Sequence, residues 1–250
     1  MHPPDVRAAV LELVAAGLND CEISRRTGVP RRTVSDMRRQ PYVRKSVTEL
    51  CPRCWRPLKR LRVTPDDYAQ LLAFYLGDGW ISIHPRTQRL RVALDAAYPE
   101  IIEAARGLLE RCFPLNKVDV VRYRDGDCSA VSVHSAHVAC LLPQHGPGRK
   151  HLRRIELEPW QSAIVEAEPW PFIRACIWTD GCAFVNRTGR YEYLSYDFTN
   201  KSDGITDLFA QSCDRVGVSY RRTIYRERWR VRINRRSSVA LMLKHVGIKS

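Results

Sequence analysis

One pattern of apolar and small positions occurs twice along the chain. Residues 71–79 read LLAFYLGDG and residues 173–181 read IRACIWTDG. In each copy, two small residues lie four positions apart, which places them on one stripe of a helix where a second helix can approach closely. The glycine after each aspartate predicts the end of the helix. Two such helices side by side would bring Asp78 and Asp180 together, and paired carboxylates are ligands for a hard divalent cation.

The chain repeats beyond these two motifs. Asp95 matches Asp197 at the same offset of 102 positions that relates Asp78 to Asp180. In each half the periodicity predicts a helix, two strands, a helix, two strands and a helix. The elements expected in the first half are a helix over 66–78, strands near 79–84, 88–95, 117–124 and 128–134, a middle helix and a short last helix. The second half begins with a helix over 169–180.

Alternation along the strands predicts sheets with two different faces. Leu90, Val92 and Leu94 alternate with arginines in the first half, and Val231 and Ile233 do so in the second. The apolar face is expected to pack on the helices, whereas the basic face cannot form a core. A surface that lies on DNA is the favoured interpretation, and a solvated edge is the alternative. The candidate DNA contacts are Arg89, Arg91, Tyr193, Ser195, Arg222, Arg226, Arg230, Arg232 and Asn234.

The first forty residues predict a small helical unit. Apolar residues recur with a helical period up to Gly17, and a second turn at Gly28 separates two short helices. Ile23, Val29 and Val34 have the spacing that packs these helices together. The layout is that of a helix-turn-helix, whose second helix enters the major groove of DNA. Its candidate DNA contacts are Arg31, Arg32, Thr33, Ser35, Arg38 and Arg39; the alternative is a basic three-helix bundle that contacts protein.

Two connecting segments carry further candidates. Residues 46–65 contain prolines and the pair Cys51 and Cys54, which is half of a zinc site. Two free thiols in a turn are the alternative, because no second CxxC completes the site. Residues 143–160 join the halves, and there Arg149 and Lys150 are expected to lie along a DNA backbone.

Composition supports a polyanionic partner. The 250 residues carry a formal net charge of +14, with 44% hydrophobic and 27% charged residues. This charge favours nucleic acid or an anionic membrane surface. The sequence has no long apolar run and no signal peptide, so a cytoplasmic, nucleoid-associated protein without membrane contact is expected. Its nine cysteines are scattered, which is typical of free thiols in a reducing compartment.

The two motifs resemble those of the LAGLIDADG homing endonucleases, although Leu76 and Trp178 replace the first aspartate of that motif. The resemblance covers residues 66–250 and implies an α+β fold of tandem αββαββα repeats, over 66–155 and 156–250, that forms a pseudo-twofold saddle. A helix-turn-helix domain over 1–45 precedes it. The implied function is metal-dependent cleavage of double-stranded DNA by a monomer.

In that family the last aspartate of each motif binds the metal and a glycine follows it. Asp78, Gly79, Asp180 and Gly181 are therefore the implied metal site for two or more Mg²⁺ ions. Lys201 is the candidate basic residue near the metal in the second half, and Arg89 or Arg91 would serve in the first half. Two other functions stay open: a DNA-binding regulator that has lost catalysis, and an RNA maturase that assists intron splicing.

Overall fold

A computed structural model describes residues 2–39, 51, 63–123 and 126–249 of the chain. The chain divides into two compact units, Met1–Lys59 and Arg60–Ser250. Cys54 and nearly all of the predicted 46–65 connection lie outside the described residues, so the zinc prediction stays a prediction. Among the described residues, no helix is long and apolar enough to cross a membrane.

The first unit contains three helices, α1 (Pro4–Ala15), α2 (Asp20–Thr27) and α3 (Arg31–Arg39). The Asn19 side chain accepts a hydrogen bond from the backbone of Glu22 and so caps α2, which ends at Gly28 with a φ of 68°. Ile23, Val29 and Val34 are fully buried between the helices. The predicted helical layout and its core are confirmed.

The second unit contains two copies of an αββαββα arrangement. The first copy comprises α4 (Pro65–Asp78), β1 (Gly79–Ile83), β2 (Gln88–Asp95), α5 (Pro99–Cys112), β3 (Val118–Arg122), β4 (Cys128–Ser135) and α6 (Val138–Leu141). A short 3₁₀ helix (Lys150–Leu152) and α7 (Pro159–Ala167) follow. The second copy comprises α8 (Pro169–Asp180), β5 (Gly181–Thr188), β6 (Tyr191–Asn200), α9 (Asp203–Arg215), β7 (Arg221–Tyr225), β8 (Arg228–Ile233) and α10 (Arg236–His245).

Each copy forms one four-stranded antiparallel sheet, with strand orders β1-β2-β4-β3 and β5-β6-β8-β7 within the described residues. The alternating apolar residues point inward, where Leu90, Val131, Phe198 and Val231 are at most 1% exposed. Phe198 stacks on Phe209 of α9 with ring centroids 4.3 Å apart. The predicted α+β fold with one polar sheet face per repeat is confirmed.

The strand register corrects one predicted match. Gly79 pairs with Val92 in the first hairpin, but Gly181 pairs with Phe198 in the second, because the second hairpin is longer. Asp197 therefore occupies the sheet position of Arg91 and not that of Asp95. A constant offset of 102 was wrong for these strands, since loop lengths differ between the copies. Helix α7 was not predicted either.

The helices α4 and α8 pack at very close range. A Cβ atom added to Gly77 would lie 2.3 Å from Oγ1 of Thr179, so only glycine fits at this point of the contact. The motif glycines follow the helix ends in an extended conformation and not in a left-handed turn. Glycine is required there because a side chain would collide with the last helical turn. Gly79 has an extended backbone with a φ of −93°, and a Cβ there would lie 2.6 Å from Cα of Tyr75.

Candidate active site

Asp78 and Asp180 are the last residues of α4 and α8, and both side chains are half-buried. They open on two different cavities of the second unit. Asp180 lines a cavity of about 510 Å³, and Asp78 lines one of about 280 Å³. Gly77 lines the first cavity and Thr179 lines the second, and these two residues touch where the helices pack. The predicted meeting of the two helix ends is thus present, with each aspartate in its own recess.

The two carboxylates influence each other. Burial and the negative charge of Asp180 raise the pKa of Asp78 to about 6, against the opposing charges of Lys150 and Lys249. Burial also raises the pKa of Asp180. A hydrogen bond from Asn200 and, to a lesser degree, the charge of Lys150 act against this rise. Desolvated acids beside cations are a frequent feature of functional sites.

The two aspartates differ in their polar partners. Nδ2 of Asn200 donates a hydrogen bond of 2.8 Å to Oδ2 of Asp180. The hairpin register places Leu94 at the equivalent position of the first repeat, and Leu94 lines the cavity of Asp78. A leucine cannot donate a hydrogen bond, so this orienting contact exists on the Asp180 side alone.

Lys150 binds the end of α4. Its Nζ donates to the backbone carbonyls of Tyr75 at 2.5 Å, Gly77 at 2.7 Å and Gly79 at 2.8 Å. Burial lowers the pKa of Lys150 to about 8, although the charges of Asp180 and Asp78 oppose that shift. The side chain of Lys150 thus turns inward to the helix end, and its predicted place along a DNA backbone stays a prediction.

A second lysine mirrors the first. Nζ of Lys249 lies 3.4 Å from the carbonyl of Thr179 and 4.7 Å from the ring centre of Tyr98. It lines the cavity of Asp78. Each lysine follows a glycine by two positions, and Gly148 and Gly247 both have a positive φ, of 76° and 78°. The two Gly-x-Lys segments lie 99 positions apart in the sequence. The offset of 102 that relates the two aspartates does not align them.

Lys201 lies at the mouth of the same recess as Asp180. Its side chain is exposed and lines the 510 Å³ cavity together with Asn200 and Arg228. The structure therefore brings the predicted basic residue to the predicted carboxylate. In the first repeat, the hairpin register places Asp95 at the position equivalent to Lys201. The first repeat therefore has no basic side chain at that position.

The helix ends offer the donor set that a hard divalent cation prefers. Asp78 and Asp180 supply carboxylate oxygens. Two carbonyl oxygens of α4 and that of Gly79, the first residue of β1, already converge on the ammonium of Lys150. Oxygen ligands of this kind suit Mg²⁺. The residues present therefore fit a magnesium ion, with Gly79 contributing its carbonyl. Gly181 serves close packing, because a Cβ there would lie 2.6 Å from Cα of Ile177.

The outer face of each sheet is the face turned away from the buried side chains. Arg89 and Arg91 lie on the outer face of the first sheet, where Arg89 donates to Ser132 and Arg91 lies over Trp80. Arg230 and Arg232 lie on the outer face of the second sheet. The strand alternation placed these four arginines correctly.

Two residues predicted to contact DNA from the second sheet are not accessible on its outer face. Arg222 pairs with the buried Val231 and therefore lies on the inner face, where it binds Asp203 and Asp207 of α9. Ser195 is 1% exposed and so cannot touch a ligand in this conformation. Contact of either residue with DNA stays a prediction.

Other candidates on the second sheet remain accessible. Tyr193 is 50% exposed and stacks on Tyr191 with centroids 6.1 Å apart. Arg226 occupies the β7–β8 turn with a φ of 48°, and Asn234 is exposed just beyond β8. Arg232 differs from these, since it forms a two-bond ion pair with Asp197 at 2.7 and 2.6 Å.

In the first unit, three of the exposed residues of α3 are arginines, and the acidic Asp36 is exposed as well. Arg31, Arg32 and Arg39 are exposed, whereas Thr33 and Ser35 are half-buried. Arg38 was predicted to contact DNA but instead bonds to Oδ1 of Asp20 at 2.8 Å and to the carbonyl of Leu18. The helical period of α3 placed Arg38 on the predicted face. Its long side chain nevertheless reaches back and links α3 to the start of α2 and the turn before it.

Known proteins share both parts of this architecture. Residues 2–41 match the model of a homeodomain-like domain. No curated protein sequence matches the chain significantly. The structure of full-length DUF199/WhiA from Thermatoga maritima aligns with 74% of the chain at a TM-score of 0.51 and 13% identity, and the chain spans 56% of that protein's length.

A variant of I-DmoI, crystallised with its nicked target DNA and Mn, aligns with 73% of this chain and 96% of its own at a TM-score of 0.50 and 13% identity. The N-terminal LAGLIDADG domain of DUF199/WhiA aligns with 76% of this chain and 88% of its own, at a TM-score of 0.49 and 12% identity. At such identities the likeness concerns the fold. The chain thus joins a homeodomain-like domain at its N-terminus to a LAGLIDADG fold.

Proposed function

We propose that this protein is a site-specific endonuclease that binds double-stranded DNA and hydrolyses one phosphodiester in each strand. The observation that carries the proposal is the pair Asp78 and Asp180 at the packed ends of α4 and α8, both half-buried and both with a raised pKa. A monomer supplies both carboxylates, since the two motifs lie in one chain.

The outer sheet faces supply the DNA-binding surface. They carry Arg89, Arg91 and Arg230 in exposed or half-buried positions, and the chain as a whole has a net charge of +14. Arginines bind phosphates and the guanine edge, and Tyr193 offers a further polar contact. The I-DmoI variant of similar fold was crystallised with its target DNA, which supports DNA as the partner.

The chain's own residues prepare the site for hydrolysis. Asp78, Asp180 and the carbonyl of Gly79 would hold Mg²⁺, which supplies a Lewis acid and a water of lowered pKa when bound. Asn200 orients Asp180 through its 2.8 Å hydrogen bond. Lys249 and Lys201 place positive charge beside the cavities of Asp78 and Asp180, where a scissile phosphate would develop negative charge.

The homeodomain-like unit provides a second contact with DNA. Arg31, Arg32 and Arg39 are exposed on α3, the helix that reads the major groove in this type of domain. We expect it to add affinity and to leave the cut position unchanged, because it carries no part of the carboxylate site.

The decisive experiment is selection of cleaved duplexes from a randomised library with Mg²⁺. The wild type is expected to cut a specific site. Asp78→Asn and Asp180→Asn should lower cleavage at least about a thousandfold while they spare binding, since metal stabilisation is worth several kcal/mol. Glu103→Gln, on the exposed surface of α5, is the matched control and should cut normally.

A DNA-binding protein without cleavage is the second candidate. It is favoured by one observation: Lys150 already bonds to the carbonyls of Tyr75, Gly77 and Gly79 that a metal would use. Specific binding by the wild type with no cut under any divalent metal would establish this candidate and reject the endonuclease.

A further inference from the structure

The ammonium of Lys150 is saturated. A lysine has three N–H donors, and all three are used, on the carbonyls of Tyr75, Gly77 and Gly79. Its Nζ also lies 5.2 Å from the ring centre of Tyr75. These are contacts that an ordinary cation would make at the negative end of a helix.

Its counterpart is bound much more loosely. Lys249 has one carbonyl contact, at 3.4 Å, with Thr179 of α8. In formal charge, the two lysines balance Asp78 and Asp180. Other cations, among them Lys201 and Arg228, line the same cavity as Lys150 and Asp180. The recess therefore holds an excess of positive charge without any metal, and the ammonium of Lys150 is firmly fixed within it.

We propose that Lys150 is a built-in substitute for the divalent cation, and that a metal ion binds fully only after this side chain has left the carbonyls of Tyr75, Gly77 and Gly79. The inference deepens the proposed function, since it concerns how that same site is loaded. Its basis is the convergence of three carbonyls on one ammonium.

Coexistence of both cations is disfavoured by charge and by geometry. A divalent ion at hydrogen-bond distance from the same oxygens would face the full charge of Lys150 in a partly buried recess. Oxygens that accept from the ammonium also have to turn their lone pairs to the ion. Displacement relieves both conflicts.

The surroundings of Lys150 leave room for displacement. The residue begins a short 3₁₀ helix two positions after Gly148 and lines the open cavity of about 510 Å³. Asp180 lines the same cavity, so a metal ion held by this carboxylate would enter beside the ammonium of Lys150. A rotamer change alone would move the charge from the carbonyls toward a bound phosphate.

The first test measures Mn²⁺ binding without DNA, by the electron spin resonance signal of the free ion. Lys150→Met should bind Mn²⁺ at least about tenfold more tightly than the wild type, because a competing cation is removed. Lys249→Met is the matched control, and its affinity should rise clearly less. Equal or weaker binding by Lys150→Met, or no binding by either protein, would overturn the proposal.

The second test needs no change at Lys150 and so does not depend on the folding of a variant. The wild-type protein is acylated with an amine-specific reagent, and mass spectrometry follows each lysine. Addition of Mg²⁺ should speed the modification of Lys150 several-fold, while exposed Lys244 keeps its rate. The response should disappear in Asp180→Asn. An unchanged rate at Lys150 under saturating metal would reject displacement.

Neither measurement uses cleavage. A protein that releases Lys150 on metal binding but never cuts DNA would support the inference and refute the endonuclease. A protein that cuts DNA while Lys150 stays protected would do the reverse.

Discussion

The ends of α4 and α8 share one sequence motif but have different neighbours. At the end of α8, Asn200 holds Asp180 and the adjoining cavity measures about 510 Å³. At the end of α4, Leu94 stands in the place of Asn200 and the cavity measures about 280 Å³. The comparison shows that duplication retained the backbone frame, whereas the polar contacts that tune each carboxylate diverged.

The largest effect is expected where the two helices touch. Gly77→Ala would place a Cβ 2.3 Å from Oγ1 of Thr179 and should destabilise the Arg60–Ser250 unit by about 3 kcal/mol, since overpacked contacts cannot relax fully. Adding Thr179→Gly should restore most of this loss. Gly107→Ala is the control, because its Cβ meets only a flexible arginine at 3.5 Å and should be neutral or stabilising. Denaturant unfolding measures all three; equal losses at both glycines would contradict the close contact.

The second effect concerns pH. The pKa of Asp78 is raised to about 6 from 3.8, so the folded state binds more protons than the unfolded state between those values. Its contribution to stability is therefore present below pH 4 and lost as the pH rises through 6, by up to roughly 3 kcal/mol. Asp78→Asn should be more stable than wild type at pH 7, and the gap should close at pH 4. If denaturant titrations gave the same difference in stability between Asp78→Asn and wild type at both pH values, burial of the Asp78 charge would not be the cause of that difference.

A smaller effect is expected from exchanging the neighbours of the aspartates. Asn200→Leu should slow one strand's cleavage about tenfold, because contacts that orient a metal-binding carboxylate contribute about that much. Leu94→Asn should change the cleavage rate of the other DNA strand, so that the rates for the two strands become more similar. Duplexes labelled on either strand measure the rates separately. Equal slowing of both strands would mean that the two carboxylates act as one unit.

The smallest effect compares the two faces of the sheets. Arg89→Ala and Arg230→Ala, on the outer faces, should each reduce the slope of log affinity against log salt by about 1. Arg222→Ala, on the inner face, should keep the slope and lower the melting temperature, since it unpairs Asp203 and Asp207. Fluorescence anisotropy at four salt concentrations gives the slopes, and a changed slope for Arg222→Ala would place it on the DNA.

Local sequence patterns were enough to predict the main elements of the fold. The periodicity around Leu90 and Val231 placed the strands within a few residues, because burial of one face leaves a period of two. The motif likewise led to Asp78 and Asp180. Contacts between distant segments were harder. Lys150 reaches carbonyls more than seventy residues earlier in the chain, and no local pattern records such a bond.

Side-chain direction was the other source of error. Arg38 has the period of an exposed face and Arg222 has that of the inner face, yet each finds an acidic partner inside its own unit. A long side chain can follow either course, so periodicity alone does not decide between solvent and an internal ion pair.

The unequal hairpins affect how far the protein extends along a duplex. Strand β5 has eight residues and β1 has five. Three extra residues at about 3.3 Å each add about 10 Å, which is the rise of about three base pairs. On DNA bound as proposed, the footprint of the protein would be asymmetric about the cleavage position. The second repeat would contact the longer half-site.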